Sequence, residues 1–162
     1  MYIEVNGWET GIRFSASHMI IGHEKCSRLH GHQYAVHCKL SGEPGPDGLV
    51  MDFMALKKVL RGIADELDHR VLLPGNSDNM KITSDDGQVA IDTGEKSYSL
   101  PMDDVVILDT RTASAEELSG LVLKRLMQVM DIPSSVHIIE IGISEGIGQT
   151  AWSSWSRKNQ RF

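Results

Sequence analysis

Apolar and polar residues alternate along Phe14-Ser15-Ala16-Ser17-His18 and again from His32 to Ser41, the two-residue period of a β-strand. The first strand is expected to run through residues 2–20, with Gly7 and Gly11 marking a bulge or bend. The turn-rich stretch Gly42-Glu43-Pro44-Gly45-Pro46-Asp47-Gly48 ends the second. The period then changes. Phe53, Leu56, Leu60, Ile63 and Leu67 step by three and four, which predicts a helix capped by Asp52 and running toward Asp68-His69-Arg70. Residues 75–104 carry short β-like runs split by Asp86-Gly87 and Thr93-Gly94, and read as a small hairpin insertion. Val105–Leu108 return to the core as a short extended piece. A second helix opens with the capping box Ser114-Ala115-Glu116-Glu117, in which Glu117 reaches back to Ser114, and buries Leu118, Leu121, Val122, Leu126 and Val129. The third strand is Val136–Glu145, and a last strand lies around Ala151–Trp155, with 157–161 as a solvated tail.

This order gives one α+β domain over 1–162: a four-stranded antiparallel sheet with two helices on one face, ββααββ, interrupted by the insertion. Free sheet edges invite self-association. Composition narrows the function classes. The chain has 162 residues, 41% of them hydrophobic and 23% charged, with a formal net charge of −6. The negative charge argues against nucleic acid as partner. No apolar run is long enough for a membrane span, and the N-terminus does not resemble a secretory signal, so a cytoplasmic protein is expected. Two cysteines in unlike settings do not look like a disulfide framework.

The chemistry concentrates in His18 and in Cys26-Ser27-Arg28-Leu29-His30-Gly31-His32. Strand parity puts His30 and His32 side by side, and a hairpin with matched faces brings His18 to them. Three neutral imidazoles converging this way form a zinc site of the kind that keeps one position for water or substrate. A lone histidine on an apolar face is more often a core residue, but three on matched faces with a cysteine four residues upstream are not alone. Cys26 is placed to act as ligand or reacting thiol. His37, of the wrong parity, and His23, in the loop, are expected at the surface. Asp68-His69 is a weak signal by itself, since a histidine also suits a helix C-terminus. On the third strand Glu145 continues the apolar face of Ile139, Ile141 and Ile143, where a carboxylate needs a partner. Parity alone leaves two readings equal: a residue solvated just past the core, or a candidate to grip a ligand bearing paired N–H donors.

His18, Cys26-x-x-x-His30-Gly31-His32-x-Tyr34, Asp52-Phe53-x-x-Leu56-Lys57, Leu67-Asp68-His69-Arg70 and Ala115-Glu116-Glu117-Leu118 together resemble the 6-pyruvoyltetrahydropterin synthase superfamily. Within it, the His-x-x-Cys-x-x-x-His-Gly-His loop is closest in style to the queuosine-pathway 6-carboxytetrahydropterin synthases. The resemblance implies the tunnelling fold, a homohexamer built as a dimer of trimers, and sites at subunit interfaces. It implies Zn2+ on His18, His30 and His32, catalysis by Cys26, Asp68 and His69, and pterin anchoring by Glu145. Ser114 and Glu116 fall near the family's Thr-Ala-Glu substrate segment, though the proline before it is missing here. The implied activity is a zinc-dependent lyase that turns 7,8-dihydroneopterin triphosphate into 6-carboxy-5,6,7,8-tetrahydropterin, acetaldehyde and triphosphate. The alternatives are the pyruvoyl-forming synthase, an aldolase-like former of 6-hydroxymethyl dihydropterin, and a non-catalytic pterin- or purine-binding protein.

Overall fold

The computed structural model describes residues 1–157. The order is β1 (Tyr2–Val5), α1 (Gly7–Thr10), β2 (Arg13–His18), β3 (His30–Gly42), α2 (Phe53–Asp65), β4 (Arg70–Pro74), β5 (Lys81–Asp85), β6 (Gln88–Asp92), β7 (Ser97–Pro101), β8 (Val105–Leu108), α3 (Ala115–Val129), β9 (Val136–Glu145) and β10 (Thr150–Ser156). Seven strands form the main sheet in the order β10-β9-β3-β2-β4-β8, with β1 also paired to β3. β5, β6 and β7 make a separate antiparallel meander.

The α+β class stands, but the four-strand ββααββ description does not. The expected long first strand is broken by one helical turn. Asn6 Oδ1 accepts the Trp8 and Glu9 N–H groups, and Gly11 closes the turn at φ 69°. Gly7 cannot carry a side chain, because a Cβ there would lie 2.3 Å from the Val36 carbonyl oxygen. β4 was hidden in the expected helix end. It pairs parallel to β2 on one side and to β8 on the other. Parallel neighbours need a long crossover; β3 with α2 supplies the first, and the meander lies in the second. The insertion is therefore three strands rather than a hairpin. Its Asp86-Gly87 turn has both residues at positive φ, 42° and 75°, as a tight hairpin connection requires.

α2 is capped as expected, with Asp52 Oδ1 accepting the Met54 N–H at 2.8 Å. It buries Leu56, Leu60, Ile63 and Ala64 against the sheet, each large side chain contributing about 1.5–3 kcal/mol. Phe53 lies off that face and is exposed, and Leu67 is buried beyond the helix end. In α3, Ser114 is the N-cap, but Glu117 accepts the Arg111 N–H instead of returning to Ser114. Val129 is exposed rather than buried.

His37 overturns its expectation. It is buried on the sheet face opposite the helices, Nδ1 accepting the Gly7 N–H at 3.2 Å and Nε2 meeting Ser144 Oγ at 2.9 Å. The face was assigned correctly, but α1 covers it. At the chain end Arg157 lies over Trp155 and donates to the Val136 and Pro133 carbonyls; the rest of the expected tail is outside the described residues.

Candidate functional site

The register between β2 and β3 places His18 directly opposite His30, and Ala16 opposite His32. Because side chains two apart on a strand share a face, the three imidazoles meet on the helix-facing side of the sheet. Their candidate ligand atoms all lie within 4.8 Å of one another, with ring centroids 4.6 to 5.2 Å apart. Among the described residues this is the one such grouping of His, Cys, Asp and Glu.

Backbone carbonyls orient two of the rings. His18 Nδ1 donates to the Ala113 carbonyl at 2.6 Å, and His30 Nδ1 donates to the Arg28 carbonyl at 2.7 Å. Each bond fixes the tautomer, leaving a lone pair on Nε2, which is how metal-binding histidines are held. His18 is only 2% exposed and its Nε2 has no protein partner. Burial, helped by the neighbouring His30 and His32, lowers its pKa to about 4, against a smaller opposing effect of the Ala113 carbonyl. A buried, neutral, oriented and unpartnered imidazole nitrogen beside two more imidazoles fits Zn2+ well.

Glu145 ends β9 on the same face, opposite Tyr34 in the β3–β9 register. Its Oε1 lies 3.9 Å from His18 Nε2 and is buried without a hydrogen bond, as is the Tyr34 hydroxyl. Burial raises the Glu145 pKa, and Glu116 adds to the rise, while His32 and His30 oppose it. Burial likewise raises Tyr34, reinforced by the Glu145 charge. The two groups face each other and interact through charge, without a hydrogen bond of good geometry. Buried polar groups are nearly always paired. Three unpaired ones at one place are the signature of a ligand site. Beside them lies a cavity of about 320 Å³, lined by Ala115, Glu116, Ile143, Glu145 and Gln149 among others. Tyr34 is the residue that sequence reasoning left without a role, although its parity with His30 and His32 was visible.

The other candidates are arranged separately. Cys26 is half-buried in the β2–β3 loop, where its carbonyl accepts the Ile20 N–H at 2.7 Å. Asp68 and His69 are not on α2, which has ended. Asp68 Oδ2 accepts from His69 Nδ1 at 2.7 Å, while Oδ1 accepts the Ser15 N–H at 2.7 Å. His69 sits at φ 57°, and its N–H donates to the Ser15 carbonyl. Partial desolvation opposes ionisation of Asp68, but the Ser15 N–H and His69 outweigh it and hold the pKa below the ordinary value. His69 of this pair lines an open groove of about 630 Å³ with Ser17, Gly31, Gln33 and Arg70. Ser114 Oγ is engaged in capping α3, and Glu116 is exposed at the helix start.

Residues 9–155 match the family described as 6-pyruvoyl tetrahydropterin synthase. A Methanocaldococcus jannaschii protein assigned as a 6-carboxy-5,6,7,8-tetrahydropterin synthase is 38% identical over 156 residues, 93% of this chain and 94% of that one. A dihydroneopterin monophosphate aldolase of Pyrococcus furiosus is 44% identical over 59 residues, 36% of this chain and 50% of its own length. The structure of Plasmodium falciparum 6-pyruvoyl tetrahydropterin synthase superposes with a TM-score of 0.89 at 30% identity, covering 96% of this chain and 98% of that one. A match spanning nearly every element, with the histidine cluster inside it, makes this chain a member of the 6-pyruvoyl tetrahydropterin synthase family.

Proposed function

We propose that this enzyme is a zinc-dependent lyase that converts 7,8-dihydroneopterin triphosphate and water to 6-carboxy-5,6,7,8-tetrahydropterin, acetaldehyde and triphosphate. The observation that carries the reading is the unpartnered His18 Nε2, beside His30 and His32 and 3.9 Å from the buried Oε1 of Glu145. His18, His30 and His32 would hold Zn2+, which as a Lewis acid lowers the pKa of the side-chain hydroxyls of a bound substrate. Glu145, lacking a hydrogen bond of its own, accepts the adjacent N–H donors of the pterin ring in the cavity it shares with Glu116. Ser114 sets the start of α3 and so the position of Glu116. The Cys26 thiolate removes a proton from the substrate side chain as general base. His69, oriented through Nδ1 by Asp68, holds or returns a proton at Nε2.

The pairing of a sheet with open β10 and β8 edges supports assembly into a dimer of trimers, which would set Asp68 and His69 near a neighbour's cluster. Sedimentation of the purified protein reads this directly. With this reaction the enzyme would serve a queuosine-type pathway, for which the cytoplasm is the proposed setting. Incubation with substrate, product mass and an acetaldehyde assay test the assignment. Acetaldehyde release supports it. A product retaining the whole side chain makes the enzyme the pyruvoyl-forming synthase instead. The identity to an aldolase over 59 residues favours one second reading, release of 6-hydroxymethyl dihydropterin, and the same mass measurement recognises it. Cys26→Ala should abolish turnover with zinc near one per chain; zinc loss would make the thiol a ligand.

A further inference from the structure

The meander β5–β7 has its own apolar core, separate from the one under α2 and α3. Val89 and Ile91 of β6 are each 1% exposed, and they close over Leu73 of β4 and over Met19, also 1% exposed. Ile21 is packed against the same cluster. Met19 directly follows the cluster histidine His18, and Ile21 begins the loop that carries Cys26. Further along, the loop is folded on itself by the Ile20 N–H to Cys26 carbonyl bond at 2.7 Å and by the Ser27 N–H to His23 carbonyl bond at 2.9 Å. It reaches the meander again across a cleft of about 400 Å³, with His23, Glu24 and Ser27 on one side and Thr93, Glu95 and Lys96 on the other. The loop thus hangs between two anchors, the metal-binding strand end and the meander.

We propose that the 75–104 meander is a positioning device for the Cys26 loop, with Val89 and Ile91 holding Met19 and Ile21 so that the thiol keeps a fixed place relative to the histidine cluster. Val89 and Ile91 are positioning residues: neither lines the cavity beside Glu145 or the groove at His69, and they act through the loop. The inference rests on the proposed role of Cys26, but part of its test needs no turnover. Because the two apolar clusters are distinct, loosening one leaves the main sheet and its helices standing. A displacement of the order of 1 Å at a reacting group is enough to cost about a hundredfold in rate.

The test compares wild type with the Val89→Ala/Ile91→Ala variant of the full, zinc-loaded protein. The first readout is the rate of iodoacetamide addition to Cys26, followed by mass; Cys38 is fully buried and does not compete. We expect the rate to change at least about threefold. The second is kcat, expected to fall roughly tenfold to a hundredfold with KM and zinc content little altered. The volume-preserving swap Val89→Ile/Ile91→Val should restore both. If the double variant folds poorly, Ile91→Ala alone is read the same way. Unchanged alkylation in a variant whose melting shows a loosened meander overturns the proposal. So does loss of zinc, which would make the meander a support for His18. Changed alkylation in an enzyme that releases no pterin product keeps the positioning role and rejects the proposed reaction instead.

Discussion

Two histidines of the main sheet are almost fully buried, and only one of them belongs to the candidate site. His37 has both ring nitrogens satisfied, by the Gly7 N–H and Ser144 Oγ. His18 has one satisfied by the Ala113 carbonyl and one with nothing to meet. The two lie on opposite faces of neighbouring strands, and burial lowers the pKa of both. Burial is therefore no mark of function here. What separates them is the unused lone pair, and the company it keeps.

The sharpest way to break this contrast is to remove each ring. His18→Ala should release zinc and lower turnover by about 10³-fold or more, since a Lewis acid is worth several kcal/mol and each 1.36 kcal/mol is tenfold. Metal analysis with steady-state kinetics checks it, and a fully metallated, active variant would undo the assignment. Asp68→Asn carries the comparison to an exposed ring. It puts an amide donor against His69 Nδ1 and should cost about a hundredfold in turnover with zinc retained. His37→Ala should do the reverse of His18→Ala. Zinc and kcat persist, while the buried Gly7 N–H loses its partner and Ser144 Oγ keeps only Thr150 Oγ1, and denaturant unfolding should read a loss of about 1–3 kcal/mol.

The most gradual effect is in pH. In metal-stripped protein, unfolded His18 takes up a proton near its ordinary 6.5, and the folded form resists until about 4. The unfolded state then binds more protons across that window, so stability is full above it and drains away as pH falls through it. Burial of His37 acts in the same direction. An unfolding midpoint that stays flat between these pH values would contradict the buried, neutral His18.

Much of the histidine cluster was legible because strand parity is rigid: His18, His30 and His32 could share a face only one way once β2 and β3 paired. The same rule gave the face of Glu145 but not its role, which came from the family resemblance; Asp52 and Ser114 followed from cap chemistry. Other features were not legible. β4 has only the short apolar run Val71-Leu72-Leu73 beside a helix end, and nothing local says that it will lie parallel between β2 and β8. His37 was misplaced because its cover, α1, comes from a segment thirty residues away whose Gly7 and Gly11 read as a bulge rather than as a helical turn and its stop. His18 is held by the Ala113 carbonyl and Asp68, besides its His69 partner, by the Ser15 N–H, and backbone carbonyls and amides carry no sequence signature.

One backbone angle has a consequence for how this enzyme can diversify. At φ 57° the position of His69 admits glycine, asparagine and aspartate readily, but penalises valine, isoleucine and threonine through their branched Cβ. Mutational drift there is screened by conformation before chemistry is tried. Homologues with altered reactions should therefore vary Cys26 or the cavity walls sooner than this residue.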